Sequence, residues 1–337
     1  MYDACDVATD HQAPQMLTRR GFLQAIGLAA LGSLSFGGYA FGIEPQRLRV
    51  QRYSLSPRHW PKDLNLKIAA LADIHACEPW MSVERIAHIA DVTNSLGADI
   101  IVLLGDYCAG HSWVTNWVHS SEWSTALSAL HAPLGVHAIL GNHDWWEDRA
   151  AQQKGAGPTF GRMALERVGI PVYENDVTKI KKDGQTFWLA GLGDQLALLP
   201  RKRYGRKRWQ GVDDLAGTLA KIDDEAPIIL LAHEPDIFPQ VPDRVTLTLS
   251  GHTHGGQVRM FGYSPVVPSR YGNRYAYGHV VEFGSHDSIV SRNMFSVAPR
   301  HMIVSGGLGC AIAPVRFGVS PEIVLIEIGS QSMEPTA

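Results

Sequence analysis

The chain has 337 residues, of which 45% are hydrophobic and 19% are charged, as in an ordinary globular protein with enough apolar material for a core. Its formal net charge of −3 argues against a general nucleic-acid binder, because such proteins usually carry a basic excess. Four cysteines, Cys5, Cys77, Cys108 and Cys310, are too few for a disulfide scaffold in a chain of this length.

The N-terminal region carries a pattern that is typical of protein export. Arg19 and Arg20 precede an uncharged, moderately hydrophobic stretch over residues 21–43, and this combination is typical of a twin-arginine signal. Gly38-Tyr39-Ala40 offers a small-x-small cleavage site, and the stretch is also long enough to span a bilayer. We therefore predict that residues 1–43 are a twin-arginine signal peptide or an N-terminal membrane anchor. The twin-arginine export machinery would then deliver the protein to the periplasm or to the outer face of the cytoplasmic membrane.

The first half of the remaining chain alternates strands with helices. A lead-in over residues 44–63 contains a loosely alternating edge strand. Buried strands are then predicted at 66–72, 100–104 and 136–140, and helices at 83–96 and 121–130. This alternation predicts right-handed βαβ units with their chemistry at the carboxyl ends of the strands.

The second half is richer in strands. Lys182-Asp183-Gly184 separates two short apolar runs and predicts a hairpin. Further strands are predicted at 228–232, 245–249, 302–305 and 323–328, with a helix near 213–222. Because there is no internal repeat and no long linker, we predict one catalytic domain over residues 64–330, followed by a flexible tail at 331–337.

Five short polar clusters end five of the predicted strands. They are Asp73-x-His75, Gly105-Asp106, Gly141-Asn142-His143-Asp144, His233-Glu234 and Gly251-His252-Thr253-His254. Carboxylates, imidazoles and amide oxygens are donors that bind divalent Zn, Mn or Fe. The loops after neighbouring strands of an α/β sheet meet in one crevice, and glycine lets the chain turn sharply there. A single histidine is by default a structural residue, but five clusters in this order indicate a metal site. Cys77 and Cys108 each follow such a cluster, and buried free thiols are expected there, with a disulfide pair as the alternative.

The order of these clusters resembles the calcineurin-like metallophosphoesterase superfamily, over roughly residues 66–328. The resemblance implies an α/β fold, a four-layer α-β-β-α sandwich with two central mixed β-sheets and the metal site at the C-terminal ends of the strands. It also implies two divalent metal ions (Mn, Fe or Zn). One would be bound by Asp73, His75 and His254 and the other by Asn142, His233 and His252, with Asp106 bridging both. Two such ions about 3.5–4 Å apart activate a water and polarise phosphoryl oxygens.

The resemblance also assigns catalytic roles beside the metals. His143 would approach the scissile phosphate and protonate the leaving group, and Asp144 would orient that histidine. The implied function is hydrolysis of a phosphodiester or pyrophosphate bond, in a lipid or nucleotide-linked substrate. Contact with a membrane surface is a further expectation, and the net charge predicts no nucleic-acid partner. A phosphomonoesterase of the same fold and a non-catalytic cell-envelope binding protein are the alternatives. The complete ligand set argues against the second.

A narrower resemblance points to a bacterial branch of twin-arginine-exported or membrane-associated phosphodiesterases, which is related to enzymes that hydrolyse the pyrophosphate of UDP-diacylglucosamine. It rests on residues 252–258, 269–272, 277–278, 307–309, 314–317 and 320–323. Ser305-Gly306-Gly307 departs from the branch, because an arginine is expected between the serine and the last glycine. Arg316 either compensates for that arginine or forms a structural salt bridge.

Three further features leave alternatives open. The basic segment 201–208 is a solvated loop by default, or a contact for anionic lipid or a phosphorylated substrate. Trp145 and Trp146 either wall the substrate pocket or pack the start of a helix. The tryptophan-rich segment 113–123 either caps the crevice or forms an exposed edge, and His111 and His119 are not counted as ligands.

Overall fold

Buried apolar runs form the strands of two β-sheets in this computed structural model, which describes residues 19–58, 60–200, 209–283 and 299–329. The strands are β1 (Arg49–Leu55), β2 (Leu66–Leu71), β3 (Cys77–Glu78), β4 (Ile100–Leu103), β5 (Asn116–Trp117), β6 (Val136–Ala138), β7 (Asp176–Lys182), β8 (Gln185–Gly191), β9 (Ile228–Leu231), β10 (Leu247–Ser250), β11 (Gly278–Phe283), β12 (Pro299–Val304) and β13 (Glu322–Ile328). The helices are α1 (Arg19–Gly38), α2 (Val83–Ser95), α3 (Ser120–Leu127), α4 (Asn142–Trp146), α5 (Arg149–Lys154), α6 (Phe160–Arg167) and α7 (Leu215–Leu219).

The two large sheets are both mixed. The first has the strand order β1-β13-β2-β4-β6, in which only the β13–β2 pair is antiparallel. The second has the order β11-β12-β10-β9-β8-β7, with antiparallel pairs at its two edges and parallel pairs between them. Strands β2, β4 and β6 therefore run in one direction, as do β8, β9, β10 and β12, so each sheet gathers several carboxyl ends at one edge.

The core divides into three layers of packing, which follows from the alternation of side chains along each strand. Ile68 and Ala70 of β2 face the second sheet, where they join Ile229 and Leu249 in one buried cluster. Alternate residues of β2 and β4 face α2, α3 and α6 on the outer side of the first sheet. The outer face of the second sheet packs against Phe238 and other residues of a separate cluster. This arrangement confirms the predicted α/β sandwich with two central mixed sheets.

The sequence did not indicate several short elements. Helices α5 and α6 and strand β11 were not predicted, and neither was the two-stranded β3–β5 sheet. Strand β11 is an edge strand paired only with β12, and its residues alternate between partly buried and exposed, so it has no apolar run to reveal it. Helix α6 is one of several short helices fixed by a capping side chain, in its case Thr159, rather than by a long apolar face.

The segment before the sheets is attached to the rest of the molecule. The ring of Phe36, near the end of α1, lies 4.5 Å from the ring of Phe317 between centroids. Ala40 is buried, and its carbonyl accepts a hydrogen bond of 2.9 Å from the backbone N–H of Arg316. In the described part of the chain, no helix combines the length and apolarity needed to cross a bilayer.

Some predictions fall outside the described residues: Cys5, the basic segment 201–208 and the tail 331–337. The three cysteines that the structure describes, Cys77, Cys108 and Cys310, are free and buried.

Candidate metal centre

The polar clusters predicted at the strand ends lie together where the carboxyl edges of the two sheets meet. Asp73, His75 and His254 form one group whose ligand atoms all lie within 4.8 Å of one another. Asp106, His233 and His252 form a second such group.

The two groups share one pocket, and Asn142 completes it. The Asn142 Oδ1 atom is 2.8 Å from Nδ1 of His252. Nε2 of His75 lies 3.6 Å from Oδ2 of Asp106, and Nε2 of His233 lies 3.3 Å from the same oxygen. The structure therefore brings all seven predicted ligand residues together, with Asp106 between the two groups.

Each of these residues sits just after a strand because the chain leaves the sheet there. Asp73 and His75 follow β2, Asp106 follows β4, and Asn142 begins α4 directly after β6. In the second sheet, His233 follows β9, and His252 and His254 follow β10.

The backbone at the centre is held in an unfavourable conformation. Five of the seven residues have positive φ angles, with Asp73 at 54°, His75 at 49°, Asp106 at 58°, His252 at 67° and His254 at 51°. A non-glycine residue in this left-handed region is uncommon, and such strain is typical of functional sites where surrounding structure enforces it. The strands and loops therefore impose the side-chain directions at a cost in backbone energy.

Glycines beside these residues make room for the crowded side chains. A Cβ atom on Gly141 would lie 2.4 Å from Oδ1 of Asp106 and 2.7 Å from the His233 ring. A Cβ on Gly251 would lie 2.8 Å from Oδ2 of Asp73. The glycines of the predicted motifs are thus required by close approach and not only by the turn.

Two imidazole rings direct their Nε2 atoms into the cluster. Nδ1 of His75 lies 2.7 Å from the carbonyl oxygen of Cys108, and Nδ1 of His233 lies 2.7 Å from that of Leu104. Since a carbonyl only accepts, Nδ1 carries the proton in both rings, which directs the Nε2 atoms inward, as in histidines that bind metals.

Two of these inward nitrogens face each other. Nε2 of His75 and Nε2 of His254 are 3.1 Å apart. Burial lowers the pKa of His75 to about 3, and burial together with the neighbouring His75 and Arg316 holds the pKa of His254 well below its usual range. Both rings are therefore neutral at pH 7, and their Nε2 atoms are close enough to share a hydrogen bond or to bind one cation. The donor set consequently suits a divalent metal.

The two carboxylates of the cluster differ in how their surroundings shift the pKa. Burial raises the pKa of Asp73 to about 7, because a fully buried anion is costly without a partner. Burial also raises the pKa of Asp106, but His233 and His143 outweigh it and hold that pKa well below the usual range. Burial lowers the pKa of His233, and the Asp106 carboxylate more than reverses this. A positive charge is thus favoured at this point, and a bound divalent cation would supply it.

Asp144 has partners other than the one the resemblance implies. Its carboxylate accepts backbone N–H groups of Asp106 and Gly141, both at 2.9 Å, on one oxygen. The other oxygen accepts those of Tyr107 at 2.9 Å and Cys108 at 3.3 Å. These bonds tie the loop of Asp106 to the start of α4, so Asp144 positions a ligand loop instead of bonding to the His143 ring.

His143 borders the cluster. Its backbone N–H donates to Oδ1 of Asp106 at 2.8 Å, which fixes it beside the proposed bridging carboxylate. Its ring lies edge-on to His75 and against Trp146, both at 5.0 Å between centroids. The ring Nδ1 atom is buried with no hydrogen-bond partner in the described residues.

The sequence left open whether Arg316 compensates for the missing arginine or forms a structural salt bridge, and the structure shows its contacts. It is fully buried, and its guanidinium donates to the carbonyls of Gly306, Gly309 and Val319. One guanidinium nitrogen lies 3.4 Å from Nδ1 of His254. Arg316 therefore braces the loop around a cluster histidine, and its partners are carbonyl groups and that ring.

The departure at Ser305-Gly306-Gly307 has a packing explanation. A Cβ on Gly306 would lie 2.8 Å from the side chain of Val319 and 3.0 Å from the ring of Tyr277. The N–H of Gly306 donates to Glu322 at 2.8 Å. No space remains for the arginine that the branch pattern leads one to expect.

Sequence reasoning gave no role to two carboxyl groups next to the cluster. Asp194 and Glu234 are buried, and with His233 they form a third group whose ligand atoms lie within 4.8 Å of one another. Burial, followed by the proximity of Glu234, raises the pKa of Asp194 well above its usual range. Glu234 stands in the His233-Glu234 motif, which was the only sequence signal for this pair.

The tryptophans divide between packing and surface. Trp145 is buried in the core behind α4, whereas Trp146 stacks on Trp209 and contacts His143. Trp123 is buried, but Trp113 and Trp117 are exposed. Trp146 is therefore the tryptophan that reaches the cluster, through His143.

Known proteins resemble this chain along most of its length. The family model for calcineurin-like phosphoesterases matches residues 66–256. YkuE, a metallophosphoesterase of Bacillus subtilis, is 29% identical over 93% of this chain and 98% of its own. The phosphodiesterase YaeI of Escherichia coli is 27% identical over 93% of this chain and 100% of its own. LpxG of Chlamydia trachomatis, a UDP-2,3-diacylglucosamine pyrophosphatase, is 25% identical over 86% of this chain and 91% of its own.

The contacts of Asp144 predict a stability effect. In Asp144→Asn an NH₂ group replaces one oxygen, which leaves buried backbone N–H donors unpaired and should lower the free energy of unfolding by about 1–3 kcal/mol. Chemical denaturation of this variant, with the exposed Asp183→Asn as control, measures the difference. Unchanged stability combined with a lower kcat would instead indicate that Asp144 acts through His143.

The close approach at Gly141 predicts an effect on metal binding. Gly141→Ala places a methyl group against Asp106 and should weaken metal affinity by about 10–100-fold, the range found when groups that support a ligand are disturbed. Calorimetric titration with Mn²⁺ or Zn²⁺ measures the affinity. Gly42→Ala is the matched control, because a Cβ at Gly42 meets nothing within 4 Å. Equal affinities in the two variants would contradict the crowding argument.

Proposed function

Because the chain belongs to the calcineurin-like phosphoesterase family and is a metal-dependent hydrolase of phosphoric esters, we propose that it cleaves a phosphodiester or pyrophosphate bond at a two-metal centre. The observation that carries the proposal is the convergence of inward-facing imidazole nitrogens and carboxylate oxygens in one buried pocket. Asp73, His75 and His254 would bind one ion, Asn142, His233 and His252 the other, and Asp106 both. When bound, such ions supply an activated water and polarise the phosphoryl oxygens.

The protein's own contribution to the reaction is proton delivery and positioning. We assign His143 as the group that gives a proton to the leaving oxygen, because a departing alkoxide needs one and the ring borders the cluster. Its backbone bond to Asp106 holds the residue beside the proposed bridging carboxylate. Asp144 holds the same loop in position through its four backbone contacts.

A diester or pyrophosphate substrate is favoured over a monoester by the relatives. The Escherichia coli protein is named a phosphodiesterase and the chlamydial protein a pyrophosphatase, and both align with most of this chain. A lipid or nucleotide-linked substrate would match these names. A non-catalytic binding role is disfavoured, because every predicted ligand residue is present in the pocket.

The proposed activity predicts a metal-dependent rate that requires His143. The full-length protein, stripped with a chelator and reloaded with Mn²⁺, Fe²⁺ or Zn²⁺, should hydrolyse bis(p-nitrophenyl) phosphate faster than p-nitrophenyl phosphate. His143→Ala should lower kcat by about 10²–10⁴-fold, the usual contribution of a general acid. His119→Ala serves as control, since His119 caps α3 and is not one of the seven predicted ligand residues. Faster monoester hydrolysis would indicate a phosphomonoesterase, and no hydrolysis with any metal would indicate a binding protein.

We also propose export by the twin-arginine route, to the periplasm or the outer face of the cytoplasmic membrane, where the protein would contact a membrane surface. The support is the Arg19-Arg20 pair, which begins α1, and the exposed Phe22, Leu23 and Leu34 on that helix. The arginine pair is followed by an uncharged segment of the kind that this route uses.

Export predicts a dependence on the arginine pair. Replacing both with lysine (Arg19→Lys, Arg20→Lys) should leave most of the protein in the cytoplasmic fraction, whereas lysine at Arg49 and Arg52 of β1 should have no effect. Cell fractionation with immunodetection measures the distribution. Normal export of the first double variant would contradict the assignment.

A further inference from the structure

An apolar groove of about 300 Å³ adjoins the metal-binding cluster. Thr253 and His254 line it, so the groove and the first metal-binding group share a residue. Its other walls include the side chains of Val258, Pro265, Val266, Pro268, Ile312 and Val315. The groove and the cluster are therefore adjacent at His254.

The polar side chains of the groove are already paired within the protein. The Gln257 amide donates to the carbonyls of Ala313 and Val315, both at 3.0 Å, and accepts from the N–H of Ala311 at 2.6 Å. The Thr253 hydroxyl donates to the carbonyl of Ala276 at 2.6 Å. A polar ligand would thus lose hydrogen bonds to water that the Gln257 and Thr253 side chains do not replace. An apolar ligand would instead be stabilised by removal of its surface from water.

Exposed apolar side chains lie at the groove and on a turn beside it, and two of them have positive φ angles. Ile312 is 73% exposed and has a φ of 64°, an outlier for a β-branched residue. Val266 is 63% exposed. A tight turn over residues 260–263 joins the wall residues Val258 and Pro265, and its Phe261 side chain is fully exposed at a φ of 49°. Grouped exposed apolar residues of this kind mark binding surfaces.

We propose that the substrate carries an aliphatic chain, which lies in the groove between Val258, Val266 and Ile312 while its phosphate binds at the adjoining cluster. The proposal rests on the proposed phosphoesterase function and specifies the class of substrate as a lipid phosphodiester or pyrophosphate. The occupant is identified by continuity, because His254 belongs to both the groove and the cluster, and by the pairing of the groove's other polar groups.

A series of substrates that share one scissile bond tests this proposal. The metal-loaded full-length enzyme is assayed with p-nitrophenyl alkyl phosphates from methyl to dodecyl, each below its critical micelle concentration. We expect kcat/KM to rise by up to about fourfold per methylene until the groove is filled, the factor that corresponds to full burial of one methylene.

Variants of the groove locate the effect. Val266→Asp and Ile312→Asp should flatten the dependence of kcat/KM on chain length, because a charge at the rim disfavours an alkyl chain. Val281→Asp on β11 is the matched control, since Val281 is an exposed valine outside the groove. The slope of this control should equal that of the unchanged enzyme.

Binding without turnover separates the two proposals. Calorimetric titration with methylphosphonate and dodecylphosphonate should show tighter binding and a more negative heat-capacity change for the longer chain, as apolar burial requires. If the methyl ester is hydrolysed but neither rate nor binding depends on chain length, the groove proposal is overturned and the phosphoesterase proposal stands.

Two other outcomes are decisive. If no ester is cleaved while dodecylphosphonate still binds through Val266 and Ile312, the proposed reaction fails and the groove assignment survives. If sedimentation shows a dimer that Val266→Asp and Ile312→Asp dissociate, with no chain-length dependence, a second copy of the chain covers the groove and the proposal is wrong.

Discussion

The arrangement of this protein depends on one electrostatic constraint, which is the concentration of two carboxylates and several neutral imidazoles in one largely buried pocket. Nε2 of His75 and of His254 lie 3.1 Å apart, and the Asp73 side chain is fully buried. Such a cluster is costly until a cation neutralises it. The left-handed backbone, the close glycines and the buried carbonyl partners all keep the donors converged. The packing of the two sheets offsets the unfavourable free energy of assembling the pocket.

The sequence was informative where the physics is local. An apolar run that stops at a polar cluster predicts a buried strand with a loop at its carboxyl end, and Asp73, Asp106 and His233 all follow such runs. Their meeting then follows from the topology of parallel strands. The features that the sequence did not predict depend on partners that are distant along the chain. Asp144 bonds to backbone groups 36 to 38 residues earlier in the chain, and those groups look the same at every position in a sequence.

The groove is a second example of structure that no short pattern reveals. Its walls come from three separated segments, 253–258, 265–268 and 311–315, and Gln257 joins two of them through its side-chain amide. Gly306 shows the converse, since a departure from the expected pattern is explained by Val319 and Tyr277 occupying the space that a side chain would need. The role of Arg316 likewise could not be predicted from the sequence, because its partners are backbone carbonyl groups, which every residue has.

The residue pair Arg316 and Phe317 lies between the N-terminal segment and the cluster. The ring of Phe317 packs against the ring of Phe36, and the backbone N–H of Arg316 donates to the carbonyl of Ala40. The Arg316 guanidinium lies next to His254. Proteolysis or truncation that removes the residues up to Ala40 would take away the ring that packs on Phe317. It would also leave the backbone N–H of Arg316 without its acceptor, in the same residue whose guanidinium contacts His254. Kinetic work on a shortened form would consequently describe a loosened pocket, because the N-terminal segment is part of the architecture around that pocket.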